Sequence, residues 1–351
     1  MQRYTMFRRL IGEGMFFLLG MCLINYVHGW ATPSQDDTPS LIPSLDLQGH
    51  RGARGLMPEN TIPAFKEALR YGMNTLELDV SLTQDGHLLV YHDTHLNLDL
   101  CLPTQDIPPY QDQPTLIQFS SIWLKTLDCG SLAHSDFPEQ TRIPKITPPL
   151  LAEVFQLEHH TQKHPLYNLE IKVDPSYTRL DKIKALQALK AILEDFKAKL
   201  PTLYTRLTLQ SFDLDVLELA PQYLPNLRRS ALFAPSHMQW TVLQLHSSLH
   251  GLLGNPGVKI IQKAHQLGVE VISPYMDYVN PNFIQYAHSL KLKVIPWTVN
   301  DSQYMKRLIR DGVDGLISDY PDRLSTVVKE MGRSVECRTS HSDALCRVPV
   351  P

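Results

Sequence analysis

From Asp46 onward, short apolar runs alternate with stretches of helical periodicity. The runs at 46–50, 75–82, 88–92, 166–172, 206–212, 229–233, 270–273, 293–299 and 315–318 have the length and composition of strands. Between most of them, apolar residues recur three and four positions apart. Residues 61–71 place Ala64, Phe65, Ala68 and Leu69 on one face, and 180–200 aligns Ile183, Leu186, Leu189, Ile192, Leu193 and Phe196. The stretches 258–267, 281–290, 302–310 and 321–331 repeat the pattern. Strands alternating with helices predict a largely parallel sheet covered by helices.

Nine strands are one too many for a closed eight-stranded barrel. The runs 78–82 and 88–92 are joined by a turn containing Asp85-Gly86, a hairpin signal. A parallel return needs a crossover of about a dozen residues, and none fits there. Taking 88–92 as the antiparallel arm of a hairpin leaves eight parallel strands. The predicted fold is therefore α/β, a (β/α)8 TIM-type barrel over residues 46–331, with a β-hairpin and a small insertion after it. The insertion, 94–165, is rich in Pro and Asp and loses the periodicity.

The termini read differently. Arg3, Arg8 and Arg9 precede an apolar run at 15–27, and Gly29-Trp30-Ala31 close it. That order marks residues 1–31 as a secretory signal peptide. The run falls short of the roughly 20 apolar residues of a membrane span. The mature chain is expected to be exported, periplasmic or secreted, without a stable span; the alternative is a retained N-terminal anchor. Residues 32–45 read as a linker and 332–351 as a polar C-terminal tail. Cys22 lies in the removable segment. The remaining four cysteines suggest disulfides in an oxidising compartment, and closeness in sequence favours Cys101–Cys129 and Cys337–Cys346. A net charge of −3 without clustered Lys and Arg excludes a nucleic-acid footprint. No oligomeric state follows from the pattern.

Candidate chemistry gathers at predicted strand ends, where barrel active sites lie. His50 and Arg51 end the first strand, flanked by Gly49, Gly52 and Gly55. Glu59-Asn60-Thr61 precede a helix whose first turn holds Pro63, a capping arrangement that leaves Glu59 or Asn60 free to serve the site as well. Glu77 and Asp79 sit two apart, so they share one strand face. Two carboxylates there repel unless a cation lies between them, and a hard divalent ion with oxygen ligands is the natural occupant. If Asp85 and Gly86 form a two-residue loop, Asp79 pairs across the hairpin with His92. Glu170 and Lys172 repeat the alternation on the next parallel strand, adding a third carboxylate and a charge that suits a phosphate oxygen.

His50-Arg51-Gly52, Pro58-Glu59-Asn60-Thr61, Glu77-x-Asp79, His92-Asp93, Leu169-Glu170-Ile171-Lys172, Gln210-Ser211-Phe212 and Trp297-Thr298-Val299-Asn300 resemble, in order, the motifs of the glycerophosphodiester phosphodiesterase family. The stretch 314–321 resembles its last barrel strand, with Ser318 where Thr is more usual. The resemblance runs from about Gln48 to Arg323, apart from the insertion. It implies hydrolysis of a small-molecule glycerophosphodiester to glycerol 3-phosphate and an alcohol. It implies a Ca²⁺ cofactor, with Mg²⁺ as alternative, on Glu77, Asp79 and Glu170. His50 and His92 become the acid/base pair, and Arg51 and Lys172 the phosphate-binding residues. The nucleophile it implies is the substrate's own glycerol 2-hydroxyl, with water as the alternative. A second reading keeps the chemistry but takes lysophospholipids or phosphoinositides, with Trp297, Tyr275, Met276 and Tyr278 as an apolar cradle. A third, a non-catalytic binding barrel, requires damaged catalytic positions, and none is seen.

Overall fold

The computed structural model describes residues 44–108, 114–161, 163–234 and 256–333. The expected signal peptide, nearly all of the linker and tail, and the Cys337–Cys346 pairing lie outside the described residues. Eight parallel strands run β1 (Asp46–Gly49), β2 (Thr75–Leu82), β4 (Leu166–Ile171), β5 (Leu207–Ser211), β6 (Arg228–Phe233), β7 (Val271–Pro274), β8 (Lys293–Val294) and β9 (Gly315–Ser318). Their spatial order is β8-β7-β6-β5-β4-β2-β1-β9. Backbone bonds from Asp314 N to Val294 O (2.9 Å), Ile317 N to Pro296 O (3.0 Å) and Val299 N to Ile317 O (2.9 Å) bring the two ends together. The result is the expected (β/α)8 barrel.

β8 is shorter than the predicted 293–299 because Pro296 has no N–H to give to a ladder. β3 (Leu88–Val90) is the antiparallel hairpin arm, as expected, but its register differs. The pairs are Val80 with Val90, Ser81 with Leu89 and Leu82 with Leu88, so the connection spans 83–87 rather than Asp85-Gly86 alone. Thr83 N bonds His87 O at 2.9 Å inside it. Tyr91 N, not His92, therefore meets Asp79 O (3.0 Å). The expected pairing of Asp79 with His92 is corrected: a longer turn moves every partner by one residue and reverses the face.

Helices pack outside the barrel. Ile62–Arg70 is capped by Thr61, has a proline in its first turn, and buries Ala64, Phe65, Ala68 and Leu69. Arg179–Phe196 buries Leu186, Leu189, Leu193 and Phe196. Leu214–Tyr223 was not singled out by periodicity; Pro221 interrupts its pattern. One large core takes the outward faces of the strands, including Leu76, Leu78 and Val80 of β2. The 94–165 stretch has two parts. Leu151, Val154, Phe155 and Leu157 join the main core. Ahead of them, Cys101, Leu116, Phe119, Leu124, Leu127 and Cys129 form a satellite core on Leu89 and Tyr91 of the hairpin. The Cys101–Cys129 disulfide is formed there. Among the described residues, no helix is long and apolar enough to cross a membrane.

Candidate active site

β1 ends at Gly49, and the chain turns sharply through His50, Arg51 and Gly52. Arg51 (φ 48°) and Gly52 (φ 84°) both adopt left-handed backbone, which glycine tolerates and arginine pays for in strain. A Cβ on Gly52 would lie 2.6 Å from the Ala64 backbone, so only glycine lets this turn sit on the helix. The turn delivers the His50 ring and the Arg51 guanidinium to the C-terminal mouth of the barrel.

β2 presents Glu77 and Asp79 beside Glu170 of β4, whose register pairs Asp79 with Glu170. All three are buried, and one oxygen from each lies within 4.8 Å of the others. Their surroundings are ordered. Glu77 Oε2 accepts from Arg51 N at 2.8 Å. Asp79 Oδ2 accepts from Asn60 Nδ2 at 2.8 Å and lies 3.3 Å from Arg51 Nε. Lys172 Nζ stands 2.9 Å from Glu170 and 3.6 Å from Asp79. Arg51 also pairs with Glu59 (2.7 Å), and Glu59 with Arg54 (2.5 Å).

Burial and the charge of Asp79 push the Glu77 carboxyl well above the usual carboxylate range. Burial pushes Glu170 up to about 7, against the pull of Lys172. Burial opposes the Asp79 charge as well, but Lys172 and Arg51 hold that carboxyl below its ordinary value. Two flanking cations, Arg51 and Lys172, stand against three carboxylates, so the ionised cluster keeps one negative charge unmatched. Three converging hard oxygen donors with a residual negative charge fit a divalent oxygen-seeking cation.

His50 points Nε2 at this cluster, 4.0 Å from Glu77 Oε2, and bonds Asp319 through Nδ1 at 2.7 Å. Burial lowers the proton affinity of this ring, against the attraction of Asp319. His92, just past β3, bonds Asp93 through Nδ1 at 2.6 Å. It lines a cleft of about 300 Å³ together with Arg51, Arg54, Glu59 and Asp93, and the insertion contributes Asn97 and His134 to the same walls. Despite the changed register, His92 therefore stays at the site, and its charge acts on Asp79 and Glu59.

All seven residues singled out by sequence come together at the barrel mouth. Sequence reasoning passed over Asp319, Asn300, Asn97 and Arg54. Asp319 lies inside a stretch quoted for its likeness and Asn300 ends another, so both were visible, but nothing local revealed that Asp319 reaches His50 or that Asn300 holds Asp319. On the far side of the mouth, Trp297 meets Phe212 and Tyr275 edge to face, with ring centres 5.4 and 5.7 Å apart. Phe212 is 42% exposed, with Lys172 Nζ 5.9 Å from its ring centre. Tyr278, by contrast, is buried.

The sequence profile of the glycerophosphoryl diester phosphodiesterase family matches residues 50–323. A glycerophosphodiester phosphodiesterase of Caldanaerobacter subterraneus subsp. tengcongensis is 30% identical over 290 residues, covering 81% of this chain and 97% of the relative. One from Bacillus altitudinis is 30% identical over 285 residues, covering 80% and 97%. A crystal structure from Silicibacter pomeroyi DSS-3 that carries the family's name superposes with a TM-score of 0.71 at 28% identity, covering 84% of this chain and 96% of that one. With its barrel, its ordered motifs and its mouth of carboxylates and histidines, the chain belongs to the glycerophosphoryl diester phosphodiesterase family and is a phosphodiesterase.

Proposed function

We propose that the chain hydrolyses glycerophosphodiesters to glycerol 3-phosphate and an alcohol in a metal-dependent reaction, with His50 and His92 as general acid and base. The observation that carries this reading is the buried Glu77, Asp79 and Glu170 cluster with His50 Nε2 turned toward it. Glu77, Asp79 and Glu170 would hold the cation, Ca²⁺ or Mg²⁺. Bound there, it supplies charge neutralisation at the non-bridging phosphate oxygens.

The chain's own residues do the rest. Arg51, held by Glu59 and Asp79, and Lys172 offer fixed positive charge to the phosphate in a partly dry cleft, where it counts for more than in water. His50 and His92 divide two proton transfers: one takes the proton of the attacking hydroxyl, the other returns a proton to the leaving alkoxide. Each transfer is worth about 10²–10⁴-fold. The attacking group is the substrate's glycerol 2-hydroxyl, which expels the alcohol and leaves a cyclic phosphate; water then opens that ring to give glycerol 3-phosphate, with the two histidines exchanging acid and base roles. Phe212 and Trp297 at the rim favour a second reading, in which the same chemistry acts on a lysophospholipid. Export through residues 1–31 is part of the proposal, and the Cys101–Cys129 disulfide supports it.

The test is release of glycerol 3-phosphate from glycerophosphocholine, with and without chelator. Chelator-sensitive release restored by Ca²⁺ or Mg²⁺ supports the whole reading. Release that survives exhaustive chelation removes the metal. Release only from micellar lysolipid moves the substrate to the second reading.

A further inference from the structure

The two histidines are supported in the same way from unrelated parts of the chain. His50 Nδ1 meets Asp319 Oδ1 at 2.7 Å, and Asp319 Oδ2 accepts from Asn300 Nδ2 at 2.7 Å. His92 Nδ1 meets Asp93 Oδ1 at 2.6 Å, and Asp93 Oδ2 accepts from Asn97 Nδ2 at 2.7 Å. A carboxylate can only accept. Each ring must therefore carry a proton on Nδ1, which leaves Nε2 for the chemistry; that of His50 lies 4.0 Å from Glu77 Oε2, and His92 lines the cleft.

The asparagines are themselves fixed in orientation. Asn300 Oδ1 accepts from Asp319 N (3.0 Å) and from Ser318 Oγ (3.2 Å). Asn97 Oδ1 accepts from Asp99 N at 3.0 Å. A flipped amide would set oxygen against carboxylate and N–H against N–H, so neither can turn. Each asparagine thus leaves its aspartate one direction of bonding.

We infer that Asp319 with Asn300, and Asp93 with Asn97, are paired positioning residues that keep a proton on Nδ1 of His50 and of His92, so that Nε2 is the nitrogen that takes or gives the proton at the reacting phosphodiester. The inference rests on the two-histidine reading. It also assigns a catalytic use to the insertion. Asn97 is an insertion residue, and its carbonyl accepts from Cys101 N at 3.0 Å, which ties the His92 support to the disulfide-bonded segment.

The lock predicts an unusual mutant pattern. In Asp93→Asn the new amide has one accepting and one donating end. Asn97 already donates, so the accepting end faces Asn97 and the donating end faces His92 Nδ1. That forces the proton to Nε2, the wrong tautomer. Adding Asn97→Asp reverses the second partner: the introduced carboxylate takes the amide's N–H₂, the amide oxygen returns to His92 Nδ1, and the Asp99 N–H keeps an acceptor. The Asp319→Asn/Asn300→Asp pair follows the same logic for His50.

The experiment compares kcat on glycerophosphocholine for wild type, Asp93→Asn and Asp93→Asn/Asn97→Asp, with His92→Ala alongside and circular dichroism on each. The single substitution is expected to lower kcat by about 10²–10⁴-fold, and the exchange to regain at least about tenfold of it. Nitrogen-15 shifts of the histidine rings read the tautomer directly in the folded wild type. A ring protonated on both nitrogens, as the general acid must be, keeps the Nδ1–H; a neutral wild-type ring protonated on Nε2 and bare on Nδ1 overturns the inference. So does a folded exchange variant no better than the single. An inactive His92→Ala with an active Asp93→Asn refutes the lock alone. A fully active His92→Ala overturns the two-histidine reading and the lock with it.

Discussion

Glu170→Gln in metal-free protein tests the electrostatics of the carboxylate cluster most directly. Burial raises the Glu170 carboxyl from its ordinary 4.5 to about 7. The sign follows from proton binding. Between those two values the folded protein holds a proton that the unfolded chain has already released, so stability falls as pH rises. Each pH unit of that window is worth about 1.4 kcal/mol, which sets a ceiling of about 3 kcal/mol for the whole window. Lys172 at 2.9 Å and the shared field of Glu77 and Asp79 reduce it, and about 1–3 kcal/mol is expected. Glutamine keeps the shape and loses the charge. In chelator, the variant should match wild type near pH 4.5 and exceed it by that amount at pH 8, while having almost no activity. Adding Ca²⁺ should reverse the order, because wild type gains about 4.1 kcal/mol at a thousand times its Kd. Urea melts from pH 4.5 to 9 with and without Ca²⁺ measure this. Carboxylates held low elsewhere, such as Asp319, affect both proteins alike and cancel in the difference. Parallel pH curves, or a chelated variant less stable than wild type at pH 8, would show that Lys172 already neutralises the cluster and would refute the reasoning.

Three further outcomes follow from the same contacts. His50→Ala and His92→Ala should each remove nearly all turnover of glycerophosphocholine while leaving the far-ultraviolet spectrum unchanged; substantial residual activity takes that ring out of the acid/base role. Arg206→Ala strands Glu158, which the buried guanidinium holds with two contacts of 2.9 Å at the other end of β4 and β5, and should cost about 3–5 kcal/mol in urea with kcat unaltered. Cys101→Ala/Cys129→Ala opens a link across a sequence separation of 28, worth about 3–4 kcal/mol in the loop-entropy account; limited proteolysis should then cut between residues 94 and 150 first, while a cut pattern like that of wild type would mean the satellite core holds without the bond.

The barrel was legible because its signals are local. Apolar runs of strand length, helical periodicity between them and an Asp-Gly turn are set by neighbours in sequence, and eight parallel strands of this kind have one common way to bury their outer faces. The carboxylate pair was legible for a similar reason: Glu77 and Asp79 are two apart, and a strand's period of two puts them on one face whatever the rest of the chain does. The hairpin partner was misread because register depends on turn length. A connection spanning 83–87 instead of two residues moved His92 out of the pair with Asp79, and its place at the site came instead from the bend after β3. Leu214–Tyr223 escaped because Pro221 breaks the pattern that periodicity relies on, whereas packing of Val216, Leu217 and Ala220 on the barrel holds the helix together. The supports of the two histidines divide along the same line. Asp93 is His92's neighbour in sequence, but Asp319 is 269 residues from His50, and only closing the barrel so that β1 lies against β9 joins them. Residue type and short spacing decide which groups are present and which face they share; the closure of the sheet decides which distant groups meet, because that contact has no trace in either one's local sequence.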